Sequence, residues 1–65
     1  MITKSEAQKI ASKYMEATPG TPILKTNGES KMFIVPALVK DVQKGEIWID
    51  AETGENLGGA GGVGK

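Results

Sequence analysis

Four of the eight acidic residues of this 65-residue chain fall between Gly45 and Leu57, in the run Gly-Glu-Ile-Trp-Ile-Asp-Ala-Glu-Thr-Gly-Glu-Asn-Leu. Asp50, Glu52 and Glu55 offer the carboxylate oxygens that calcium takes. A calcium site needs about six to eight oxygens, and this spacing is not that of an EF-hand loop. Asp and Thr shape tight turns through local side-chain hydrogen bonds, which already accounts for Asp50 and Thr53. A structural turn is therefore expected here, with no metal and no cofactor. The chain has no histidine and no cysteine. The common zinc sets and the Ser-His-Asp and Cys-His arrangements are thus ruled out. Ser5, Ser12 and Ser30 have no identifiable neighbouring base, and carboxylates on an exposed turn lack the burial that splits their pKa values. A non-enzymatic protein is expected.

The stretch Gly59-Ala60-Gly61-Gly62-Val63-Gly64-Lys65 matches a phosphate-binding P-loop as far as its lysine. A working P-loop opens a helix and supplies a Ser or Thr to magnesium. The sequence carries neither after Lys65, so the match is read as a product of glycine abundance.

Eight lysines balance eight acids, and there is no arginine. Arginine is the usual reader of phosphates and bases, so nucleic acid is not an expected partner. The charge is uneven: Lys25, Lys31, Lys40 and Lys44 precede the acidic cluster of Glu46, Asp50, Glu52 and Glu55. Such runs are mostly solvated faces. No apolar run approaches the roughly 20 residues that span a bilayer, and no signal peptide is evident, so no membrane span is expected. A cytoplasmic location follows if the 65 residues are the whole product, and an extracytoplasmic one is open if they were excised from a longer parent. One domain of this size buries only about 60% of its unfolded surface, so its packing must be well patterned.

The elements that position these residues follow from local signals. Thr3-Lys4-Ser5-Glu6 fits a capping box, with Ile2 and Ala7 placed as a weak staple. Ala7, Ile10, Ala11, Tyr14 and Met15 recur at three- and four-residue spacing, which predicts a helix over residues 4–17. Thr18-Pro19-Gly20 stops it. Ile23 to Thr26 reads as a short strand, Asn27-Gly28 as a hairpin turn, and Lys31 to Val39 as the return strand, with Pro36 requiring a bulge or an edge. Residues 41–45 read as a loop, Glu46 to Asp50 as a third strand and Ala51 to Gly54 as a turn, with Leu57 folding back onto the core. Residues 58–65, with five glycines among eight, are expected to be disordered.

The fold class is therefore α+β: one N-terminal helix on a three-stranded antiparallel meander over residues 1–57, followed by a Gly-rich tail over 58–65. The central strand is apolar on both faces, and one helix covers one face. Phe33, Val35, Ile47 and Ile49 are expected to meet Ile10, Ala11 and Tyr14, leaving Ile34, Leu38 and Trp48 on the other side. An exposed patch of that kind marks interfaces, and Trp is enriched at their hot spots. Leu57, Met1 or the Gly-rich tail would otherwise cover it. The sheet also leaves open edges that can accept a further strand.

Taken in order, three pieces resemble a PepSY domain. They are the opening Ile-Thr-Lys-Ser-Glu-Ala-Gln-Lys-Ile-Ala of residues 2–11, Met32-Phe33-Ile34-Val35-Pro36, and the close Gly45 to Glu55 with its Asp-Ala-Glu-Thr-Gly-Glu turn. The resemblance covers residues 2–57. It implies a module found in peptidase propeptides and in secreted or membrane-associated proteins, with a role in restraining peptidases and no catalytic residues. The function expected is protein binding, with a peptidase as the implied partner. The alternatives are a homodimerising domain sealed by the same patch, and a small-ligand or metal site at the acidic turn. Ile34, Leu38 and Trp48 are the candidate partner-binding residues.

Overall fold

The computed structural model describes residues 1–64. It is an α+β fold of one helix, α1 (Lys4–Ser12), and five strands in one antiparallel sheet: β1 (Thr18–Pro19), β2 (Ile23–Asn27), β3 (Ser30–Val39), β4 (Val42–Asp50) and β5 (Asn56–Ala60). β3 pairs with β4 along one side, and β4 with β5. The other side of β3 is shared between β1 and β2. Five strands thus replace the three expected.

The capping box forms as the sequence implies. The Thr3 hydroxyl accepts the Glu6 N–H at 3.1 Å, and the Glu6 carboxylate accepts the Thr3 N–H at 2.9 Å. The Thr3 main-chain donor, and after it the Thr3 hydroxyl, hold the Glu6 carboxyl below its ordinary value. The helix stops at Ser12 rather than continuing to residue 17. Beyond it the main chain is drawn into other bonds: Met15 bridges to Gly64, and the Glu16 N–H donates to the Val63 carbonyl at 2.8 Å. This early stop turns Tyr14 outward, where it is 42% exposed, and Met15 takes the inward position instead.

Both hairpin turns differ from the expected ones. Asn27 pairs with Ser30, so Gly28 and Glu29 form the first turn, with positive φ at Gly28 alone, as a type II′ turn requires. The expected loop over 41–45 is absent. Val39 pairs with Val42 across a two-residue turn in which Lys40 (φ 52°) and Asp41 (φ 64°) both adopt the left-handed region. Two successive positive φ values are the requirement of a type I′ turn, which matches the strand twist. β4 therefore begins at Val42 and carries a bulge at Lys44, between the Ala37–Gly45 and Leu38–Gln43 pairs. Pro36 needs neither bulge nor edge of its own. Its carbonyl accepts from the Gly20 N–H, and a strand residue turns its N and C=O to the same neighbour. The missing donor therefore faces the gap where β1 gives way to β2. Gln8 pins that corner, donating from Nε2 to the carbonyls of Pro19 and Gly20 at 3.1 and 3.0 Å.

The core lies between α1 and one sheet face. Phe33, Val35, Ala37, Ile47, Ile49 and Ala51 are buried against Ala7, Ala11 and Met15, with Ile2, Ile10 and Val63 partly buried around them. The helix thus covers the face of Phe33, Val35, Ile47 and Ile49. Two alanines at its contact let it sit close to the sheet, so little side-chain volume fills the space.

The expected disorder over 58–65 is replaced, over 58–64, by strand and return. β5 completes the sheet, and Val63 packs on the core. Lys65 lies outside the described residues. The glycines serve close approach. A Cβ at Gly59 would overlap the Glu46 carbonyl oxygen, and one at Gly61 would overlap the Lys44 carbonyl oxygen. Leu57 does not fold onto the core. It is 48% exposed at the irregularity where β5 leaves register with β4.

Candidate functional site

The acidic turn is a closed hydrogen-bonded unit. Asp50 Oδ1 accepts the N–H groups of Glu52 at 2.7 Å and Thr53 at 3.3 Å, and the Asp50 carbonyl accepts the Gly54 N–H at 2.8 Å. Thr53 Oγ1 takes the Glu55 N–H at 3.2 Å, while the Asp50 N–H donates to the Glu55 carbonyl at 2.8 Å. Gly54, at φ 81°, supplies the left-handed step. Asp50 thus directs its side chain at the turn's own amides. Among the described residues no group of three or more His, Cys, Asp or Glu side chains could hold a metal ion. The amino terminus reaches Glu52 at 3.6 Å, an exposed pair of small energetic weight.

The three candidate residues share the sheet face opposite α1. Ile34 and Trp48 are direct cross-strand partners, and Ile23 extends their row across β2, opposite Ile34. Leu38 lies four residues along β3, roughly 13 Å away, with Pro36 between them on the same face. Gly20 packs here, since a Cβ on it would sit 3.3 Å from both Leu38 and Pro36. Ile34, Pro36, Leu38 and Trp48 are half-buried, while Ile23 is 60% exposed. Sequence reasoning assigned no face to Ile23; its register against Ile34 supplies one.

Trp48 is held at both ends. Its indole N–H donates to the Glu46 carboxylate, two residues back on the same face. Its ring edge lies over Gly58, where a Cβ would meet it at 3.8 Å. Glu46 therefore belongs with this face rather than with the acidic turn.

Two clefts flank β5. One, of about 280 Å³, lies beside Lys25, Lys31, Met32, Asp50 and Leu57. The other, of about 310 Å³, lies between β5 and the return at 62–64, with Tyr14, Ile47, Gly59 and Val63 in its walls. No helix among the described residues is long and apolar enough to cross a membrane. Comparisons with protein-family models, curated proteins and solved structures find no match to this chain.

Proposed function

We propose that the chain is a non-enzymatic protein-binding module of PepSY type, and that it engages a protein partner through the sheet face centred on Trp48, Ile34 and Leu38. The observation that carries this reading is the apolar row Ile23–Ile34–Trp48, continued by Pro36 and Leu38, on the face that α1 does not cover. Apolar area of this kind, with a Trp whose polar end is already bonded, suits a desolvated hot spot. The resemblance to PepSY modules makes a peptidase the partner to try first.

Trp48→Ala is expected to weaken partner binding by more than tenfold while the chain stays folded, as read by titration calorimetry beside a thermal melt. Loss of the folded state in that variant would place Trp48 in the structural core and end this reading. A second reading, a homodimer sealed by the same face, is favoured by the uncharged cross-strand row Ile23–Ile34–Trp48. Sedimentation over a dilution series separates the two. The acidic turn as a ligand site is the weakest reading, because Asp50 Oδ1 already accepts two main-chain N–H groups.

A further inference from the structure

The two sides of the sheet are protected unequally. The β1–β2 side carries Pro19 and Lys25, which are residues that blunt an edge. β5, Asn-Leu-Gly-Gly-Ala, has no charge and no proline, and no described strand pairs with its outer side. Which of its groups are open follows from register. The Pro36 carbonyl faces Gly20, so Pro36 and its partner Glu46 turn their main chains away from each other. Glu46 therefore faces Ala60, and alternation leaves the N–H and C=O of Gly59 pointing out of the sheet.

The missing side chains of β5 also leave β4 reachable across it. On the α1 side, Gly59 opens onto the cleft of about 310 Å³ whose walls include Ile47, Tyr14 and Val63. On the other side, Gly58 places no side chain against the edge of the half-buried Trp48 ring, and the Glu46 carboxylate is bonded to its indole N–H. One side of an added strand thus meets an apolar cleft, and the other meets an aromatic ring beside an anion. That second pairing suits a cationic side chain. A second copy of the chain fits less well. β5 spans only about 17 Å, and pairing two such strands, two glycines in each, falls well short of the roughly 1,200 Å² that stable complexes bury.

We propose that the outer edge of β5 binds an extended peptide segment of a partner protein as an added strand, with apolar side chains toward the Tyr14–Ile47–Val63 cleft and basic side chains toward Trp48 and Glu46. This deepens the protein-binding reading but uses the edge rather than the Ile34–Leu38 face.

The test titrates the full chain, followed by amide NMR and hydrogen exchange, with the capped peptide Lys-Val-Lys-Val-Lys. A copy with N-methylated valines and a Glu-Val-Glu-Val-Glu peptide serve as comparisons. The expected result at about 1 mM peptide is exchange at Gly59 slowed about tenfold or more, with shifts at Tyr14 and Val63. The N-methylated copy has no effect and the acidic peptide binds more weakly. The double variant Ile34→Thr/Leu38→Thr keeps the Gly59 response, which separates this proposal from the face reading. No response at Gly59, equal binding of the N-methylated or acidic peptide, or protection that appears without peptide as protein concentration rises would each overturn it. Shifts confined to Ile34 and Leu38 would overturn the edge proposal and leave the face reading standing.

Discussion

Gly59 illustrates how a single residue sets the architecture at this end of the molecule. Its missing Cβ lets β5 approach the Glu46 carbonyl, so Gly59→Ala is expected to cost about 2 kcal/mol or more, the range of an overpacked site. Urea unfolding checks this, and an unchanged midpoint would remove the steric role. Thr3 and Glu6 act at the opposite end. Thr3→Ala is expected to cost about 1 kcal/mol, as for other lost N-caps. The Glu6 carboxyl is held below its ordinary 4.5, so its contribution is present above that pH and is lost as pH falls through the lower folded value. The stability difference between the native chain and Glu6→Gln should therefore shrink on acidification below about pH 4.5 and vanish in stronger acid, as followed by thermal melts. The capping box and the Asp50 turn were legible because each rests on side chains bonding amides two or three residues away. Tyr14 was not, because its outward turn depends on Met15 bridging Gly64, roughly fifty residues along the chain.

At the scale of elements, strand pairing decided what local signals left open. The alternation of Phe33, Val35, Ile47 and Ile49 identified the buried face correctly, since a period of two fixes the side of every residue in a paired strand. The β3–β4 turn was missed because Lys40-Asp41 carries no glycine or asparagine, the residues that usually mark a type I′ turn. Holding non-glycine residues at φ 52° and 64° is costly. Replacing the pair by Asn-Gly is expected to raise stability by about 1 kcal/mol, measured by urea unfolding; a loss would mean that the Lys40 or Asp41 side chain contributes something the turn needs. β5 escaped notice for the same kind of reason. Its composition suits a flexible linker, and only its fit against β4 makes its glycines structural.

For the whole molecule, the consequence is a core closed by the segment that looked dispensable. Val63 covers the core beyond the end of α1, and β5 covers the edge of β4. Removing residues 58–65 is therefore expected to lower the melting temperature by about 15 °C or more; a truncated chain that melts like the intact one would return the tail to the status of an appendage. The helix covers only one face of the sheet, and the functional reading stands on the other, where Ile34, Leu38 and Trp48 are half-buried. Its most direct test places a photo-crosslinking residue at Ile34 or Leu38, and at Glu29 as an exposed control, in cells that make the protein. The account predicts a discrete adduct with one other protein from Ile34 and Leu38 and none from Glu29. Adducts no different from those at Glu29, or adducts only between copies of this chain, would contradict it.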